Sequence, residues 1–275
     1  MSPASPVSSV SVTSFASSAS SASPWILAVA AVCSAALVAG PVSAWTRRYV
    51  REPLAGYNDD EPEDAEDAPE GRPEARSLEP GPPARPVYPT LRHPGLLAVA
   101  PQGVLALVLC GFCAWWGARL GVTGAALVAI PVYALLASAA SVDAVAHLLP
   151  NRLLGAAAVW LAVCGVVAVI MDPGHFYAAR RAVLCALAAG GVSLVLALIR
   201  SGLGLGDVKL CALIGLWLGW YGALTLAVSL CLGTVLGGLA ALTLLITRRA
   251  GRKDPMAYGP YLIAGALLGW PLAVV

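Results

Sequence analysis

Charge is what this sequence has least of. Of its 275 residues only 12% are charged, while 59% are hydrophobic, and mean hydropathy is +0.78. Soluble domains carry about 25% charged residues and about 45–50% apolar ones. An ordinary soluble enzyme is therefore excluded, and so is a disordered chain. Lysine is almost missing, with only Lys209 and Lys253 present. Residues 1–45 carry no charged side chain, and residues 94–275 hold only four acids, Asp143, Asp172, Asp207 and Asp254. A metal-ligand set is also lacking. Seven cysteines occur, all inside apolar runs, and Cys110-Gly-Phe-Cys113 has neither a second CxxC nor a nearby His to complete it. An odd cysteine count in such a chain argues against a disulfide framework. Free Cys packs as a small hydrophobe, so packing is the expected role. No metal, cofactor or nucleic-acid partner is expected, and the oligomeric state is left open.

What is present is a succession of apolar runs. Each bilayer crossing takes about 20 residues. Runs near 25–45, 95–117, 121–142, 153–171, 182–200, 208–220, 222–246 and 259–274 predict an all-α, polytopic bundle of about eight transmembrane helices, with the bilayer as its solvent. The stretch from Leu210 to Thr247 has no charge and is too long for one crossing, so Gly219-Trp220-Tyr221-Gly222 is expected to be its turn. Four segments follow: a Ser- and Ala-rich tail over 1–23, a first membrane helix over 24–45, an acidic Pro-rich loop over 46–93, and a helical domain over 94–275. The loop holds seven Arg against eleven acids, a balance of −4, and cannot bury enough apolar surface to fold alone. Val42-Ser43-Ala44 has the look of a signal-peptide cleavage site. No basic residue precedes the first run, however, and Arg47, Arg48 and Arg51 follow it, so an uncleaved helix with its N-terminus outside is expected. That orientation places Arg152, Arg200, Lys209 and Arg248 inside and Arg119, Arg180 and Arg181 outside. The expectation is a multi-pass plasma (inner) membrane protein.

Acids at membrane helices are costly and are functional candidates by default. Asp172 lies in the turn-forming Asp172-Pro-Gly-His175, and Asp254 follows Arg252 and Lys253, so both are expected to be solvated loop residues. Asp143 closes one apolar run and Asp207 opens another. The orientation puts both at the cytoplasmic ends of their helices. Two facing carboxyl groups in a low-dielectric site share a proton. The ionised one can take a proton from water, and the protonated one can donate to a carbonyl oxygen and then to a leaving amine. Asp207 can also cap its own helix, and acids of this kind also serve ion pathways. A proton- or cation-coupled transporter using the same two aspartates is thus the alternative, although no internal repeat supports it.

Gly202, Gly204 and Gly206 precede Asp207 and are expected to allow positive φ or a close backbone approach. Their spacing is not that of a phosphate-binding loop. Lys209 is expected to snorkel alone on another helix face. His147 reads as an ordinary interfacial residue, and Pro150-Asn151 as punctuation before a helix.

Three motifs in this order resemble the type IV prepilin peptidases, a family of intramembrane aspartic proteases. They are Asp143 with Leu149-Pro150-Asn151-Arg152, then Gly204-Leu205-Gly206-Asp207-Val208-Lys209-Leu210, and then Tyr258-Gly259-Pro260-Tyr261-Leu262. The resemblance covers roughly residues 95–275. It implies Asp143 and Asp207 as the catalytic pair, with Gly204, Gly206, Lys209, Pro150, Asn151, Arg152, Gly259 and Pro260 as supporting residues. It implies cleavage of a short basic leader from prepilin-like or pseudopilin proteins at the cytoplasmic face. Many members carry two CxxC pairs in an insert linked to N-methylation. Residues 46–93 hold no cysteine, so peptidase activity alone is expected.

Overall fold

The computed structural model describes residues 24–48, 98–146, 149–199, 204–247 and 257–275. The tail 1–23, residues 49–97 of the linker region, His147, Gly202 and Asp254 lie outside them. Eight helical segments carry the described residues, with no strand among them. Helix α1 starts at Pro24–Leu37 and runs on to Arg48 through a π turn at Val38–Val42. Pro41 lies in that turn; it has no N–H to give, so the helix widens locally. Next come α2 (Val99–Leu120), α3 (Thr123–Ala146), α4 (Asn151–Met171), α5 (Phe176–Leu198), α6 (Leu205–Leu218), α7 (Ala223–Ile246) and α8 (Gly259–Ala273).

Six of these are long and apolar enough to cross a membrane. The expected polytopic helical bundle is borne out, and two of its helices are shorter: α6 has 14 residues and α8 has 15. At 1.5 Å per residue each spans about 21–23 Å, short of the roughly 30 Å hydrocarbon core. The reason lies in what surrounds them. Leu210, Leu213, Ile214, Trp217 and Leu218 of α6 are buried, as are Leu262, Ile263, Ala266 and Trp270 of α8. These apolar surfaces face protein rather than lipid. The Gly219–Gly222 turn ends α6 where the aromatic pair Trp220-Tyr221 was expected to mark a break.

Helix α3 is the centre of the bundle. Of its apolar window 67% is buried, against 17–28% in the other five crossings, whose exposed Val, Leu and Ile side chains meet lipid. Contact with α3 is made from several sides, by α1, α2, α4 and α8. The tightest pairings, α5 with α6 and α7 with α8, are made by small residues. A Cβ on Gly215 would stand 2.7 Å from the Cys185 carbonyl oxygen of α5, and one on Gly265 would stand 2.4 Å from the Gly233 nitrogen of α7. Such close backbone approach suits association in lipid, where burial of apolar surface drives little. The α2–α3 turn ends on Gly121 at φ 69°, the one positive-φ glycine among the described residues.

An aromatic brace ties the core together. Tyr133 of α3 donates its hydroxyl to the Leu267 carbonyl and meets Trp217 and Trp270 edge to face. Trp270 Nε1 donates to the Tyr221 hydroxyl at 3.1 Å, and Trp116 Nε1 to the Pro271 carbonyl at 3.2 Å. Cys110 and Cys113 are fully buried in this same core, with Cys110 Sγ donating to the Ile130 carbonyl at 3.5 Å. Antiparallel alternation then collects eight helix ends at one end of the bundle: the C-termini of α1, α3, α5 and α7 and the N-termini of α2, α4, α6 and α8.

A candidate aspartate-pair site

Asp143 lies in the last turn of α3 and is 4% exposed; Asp207 lies in the first turn of α6 and is 8% exposed. Leu149 links them, since its side chain touches both Gly206, the neighbour of Asp207, and Gly259, which faces the Asp143 carboxyl. The two acids differ in what they hold. Asp207 Oδ2 accepts from the Gly204 N–H at 3.3 Å, reaching back to the residue that precedes its own helix. The Asp207 amide in turn donates to the Gly204 carbonyl at 3.0 Å. This reciprocal closure fixes the carboxyl at the helix N-terminus, where the backbone dipole favours negative charge. Asp143 Oδ2 is buried and has no hydrogen-bond partner among the described residues. The Gly259 backbone lies against this carboxyl, so the start of α8 is what Asp143 faces.

The N-terminus of α8 closes over Asp143. A Cβ on Gly259 would stand 2.5 Å from Asp143 Oδ2 and 3.2 Å from its Cγ, so only glycine fits there. Pro260 follows in the first turn of α8, where its missing N–H costs nothing. On the other side, a Cβ on Gly206 would stand 3.1 Å from Leu149 Cβ and 3.3 Å from Leu149 Cδ1. Gly206 thus serves close approach rather than an unusual backbone angle. Gly204 is extended at φ −78°, and Gly206 is helical.

The α4 N-terminus carries the remaining expected residues. Pro150 precedes the helix at φ −72°. Asn151 Oδ1 accepts from Lys209 Nζ at 2.9 Å, which joins the starts of α4 and α6. Lys209 is therefore not the lone snorkelling side chain that its spacing suggested. A helical wheel of α6 alone could not place Asn151 within its reach. The Arg152 guanidinium stacks over the Trp45 ring of α1 at 5.8 Å. It stands at the rim rather than between the acids. Asp172, at the opposite end, accepts from the Gly174 N–H at 2.9 Å and pairs with His175 at 3.3 Å, which matches its expected turn role. Arg181 donates to the Gly219 and Trp220 carbonyls at the end of α6, which explains a positive charge on the sparsely charged side.

Leu149 is marked in the sequence only as the first residue of its motif, with no role assigned to it. Its side chain lies between Gly206 and Gly259. One leucine in a leucine-rich chain carries no compositional signal. Among the described residues no group of three or more His, Cys, Asp or Glu could hold a metal ion.

Part of the chain that carries these residues is similar to known proteins. The model of the type IV leader peptidase family matches residues 130–242, which include both acids. A Prepilin leader peptidase/N-methyltransferase of Pseudomonas putida is 42% identical over 71 residues, covering 26% of this chain and 23% of that protein. The protein of the same name from Aeromonas salmonicida is 37% identical over 71 residues, covering 26% and 22%. The one from Burkholderia pseudomallei is 32% identical over 155 residues, covering 54% of this chain and 47% of that protein. The matched stretch spans less than half the length of each of these relatives. No solved structure matches the chain. The stretch that carries Asp143 and Asp207 is thus similar to the type IV leader peptidase family.

Proposed function

We propose that this protein is an intramembrane aspartic endopeptidase that removes the leader of prepilin-like or pseudopilin proteins, with Asp143 and Asp207 as its acid–base pair. One observation carries the reading. Two buried carboxyl groups from separate helices stand at one end of the bundle, joined through Leu149, which touches Gly206 beside Asp207 and Gly259 against Asp143. The name of the relatives supports the substrate class.

The chemistry needs one proton on the pair, because two close carboxylates in a low-dielectric site do not both ionise. The ionised carboxylate takes a proton from a water molecule. The water oxygen adds to the scissile carbonyl carbon as the protonated acid gives its proton to the carbonyl oxygen. The tetrahedral species then collapses. The carboxyl that gained the water proton passes it to the leaving nitrogen, the C–N bond breaks, and the hydroxyl proton returns to the other acid. The Gly204 cap on Asp207 and the α8 backbone pressed against Asp143 give the two groups unequal surroundings, as paired acids with divided roles require.

The active end faces the cytoplasm in this reading. Arg47, Arg48, Arg152 and Lys209 stand at the acids' end of the bundle, and Arg119, Arg180 and Arg181 at the other, in the sense of the positive-inside rule. A basic leader then lies in water beside the acids while the apolar segment after it stays in the bilayer. With no cysteine over 46–93, the proposed activity is peptidase without methylation.

Co-expression with a pilin-like precursor tests the proposal, using the wild type, Asp143→Asn and Asp207→Asn. Mass spectrometry of the recovered precursor reads leader loss and any added methyl group. Cleavage by the wild type and by neither variant is expected, with an unmethylated product. Cleavage by both folded variants would remove the acid pair from the mechanism and reopen the transporter alternative. A methylated product would overturn the peptidase-only assignment.

A further inference from the structure

Leu149 is the residue on which the two halves of the site meet. Its Cδ1 carbon lies 3.3 Å from where a Cβ of Gly206 would be and 3.1 Å from where a Cβ of Gly259 would be. Gly206 is the neighbour of Asp207 on α6. Gly259 is pressed against the Asp143 carboxyl at the start of α8. A single methyl group therefore stands between the backbone that carries one acid and the backbone that closes over the other. Both glycines lack the atom that would keep Leu149 away, so both elements rest directly on its side chain.

Leu149 is itself held in place. Pro150 follows it with a fixed φ. The next two residues are anchored in different directions, Asn151 by Lys209 of α6 and Arg152 by Trp45 of α1. Its side chain packs against the buried core of the bundle. A side chain fixed on one side and leaned upon from two others acts as a spacer.

We infer that Leu149 is a positioning residue that sets the separation between the Asp143 and Asp207 carboxyl groups. The inference rests on the peptidase reading above. Its physical content is that shared-proton chemistry depends on the distance between the acids, and that packed helix ends settle onto whatever volume is left between them. Shortening the side chain lets α6 and α8 close up or admits water between them. Either change misplaces the acids without removing a group that binds the substrate.

The test is a size series, Leu149→Met, Leu149→Val and Leu149→Ala, in the full chain purified in detergent. The substrate is a pilin-like precursor with a short basic leader before an apolar helix. Rates are taken per folded enzyme, with the wild type in parallel. Leu149→Met keeps the volume and should cleave near the wild-type rate. Leu149→Ala should lower kcat by about ten- to a hundredfold, the cost of a misplacement of order 1 Å, with Leu149→Val between them. KM should change less than about twofold, because positioning acts on the chemical step. If Leu149→Ala fails to accumulate, Leu149→Val decides the matter on the same criterion. A wild-type kcat in the shortened variants would overturn the inference, even where the amount of folded protein drops. A loss confined to KM would overturn it too, since Leu149 would then be a substrate contact. A wild type that leaves the precursor intact refutes the peptidase reading and the inference with it. A cleaving wild type beside unaffected variants refutes the inference alone.

Discussion

Adding one methyl group at Gly259 is the sharpest perturbation the site offers. In Gly259→Ala the new Cβ would stand 2.5 Å from Asp143 Oδ2, 3.2 Å from its Cγ and 3.1 Å from Leu149 Cδ1. Optimal contacts between heavy atoms lie near 3.5–4.0 Å, so the carboxyl or the start of α8 must yield by about 1 Å. Neither is free to yield cheaply. Asp143 sits on the most buried helix of the bundle, and Gly259 and Leu262 are themselves buried. A shift of about 1 Å in a reacting group costs roughly a hundredfold in rate, which corresponds to about 2.7 kcal/mol of transition-state stabilisation. Overpacking adds a stability loss of about 1–3 kcal/mol. The assay is leader removal per folded enzyme, read with a thermal melt of the same preparation. Gly238→Ala is the matched control, because a Cβ there meets nothing within 4 Å. It should leave both readings at the wild-type level. Cleavage by Gly259→Ala within about twofold of wild type would refute the reasoning, since a misplaced carboxyl could not then matter.

Three further outcomes are expected. Gly265→Ala puts a Cβ 2.4 Å from the Gly233 nitrogen and 2.5 Å from the Ser229 carbonyl oxygen, both backbone atoms, so α7 and α8 must separate. The yield of folded protein in membranes should fall steeply, and a normal melt would contradict the packing. Tyr133→Phe removes the buried hydroxyl that donates to the Leu267 carbonyl. It should cost about 1–3 kcal/mol, the penalty of an unpaired buried acceptor, seen as a lower Tm. Lys209→Met breaks the exposed bond to Asn151. The loss of stability should be no more than about 1 kcal/mol, and a larger drop on thermal unfolding would show that this bond holds the α4 and α6 starts together.

Helix positions were legible because each apolar run is bounded by charge, Pro or Gly, and those boundaries survive folding. The turn over Gly219–Gly222 and the capped start of α6 at Asp207 are examples. The two acids stood out for the same reason: in a stretch with four acids, any carboxyl at the edge of an apolar run is conspicuous. Apolarity does not say whether a helix faces lipid or protein. The short α6 and α8 read like the longer helices, although their buried Leu, Ile and Trp side chains face neighbouring helices. Contacts between distant segments were invisible. The Lys209–Asn151 bond joins residues 58 positions apart, and the tyrosine brace at Leu267 joins residues 134 apart. Gly206 and Gly259 could be named from the motifs, but the reason for each lies in a leucine and an aspartate that only packing brings near.

Gln102 gives a case where loss of a polar group should help. It lies on α2 near the acids' end of the bundle and is 2% exposed. Its Nε2 donates to Thr46 Oγ1 of α1 at 3.5 Å, a long bond, while its Oε1 has no partner among the described residues. Bonds between membrane helices contribute about 0.6–2 kcal/mol when well made. A bond at the limit of reach contributes at the lower end, and an unpartnered buried oxygen costs about 1–3 kcal/mol. The balance favours an apolar side chain of the same length. Gln102→Met keeps the volume, removes the orphan oxygen, and leaves Thr46 its own bond to the Ser43 carbonyl at 3.0 Å. Its Tm should equal or exceed that of the wild type. Gln102→Ala removes the same atoms but leaves a cavity between α1 and α2, and its Tm should fall by the equivalent of about 2 kcal/mol or more. Gln102 lies outside the matched stretch 130–242 and touches neither acid, so leader removal per folded enzyme should be unchanged in Gln102→Met. If Gln102→Met melts as low as Gln102→Ala, the amide makes a stronger bond across the α1–α2 contact than its geometry allows, and packing is not what holds α1 to the bundle.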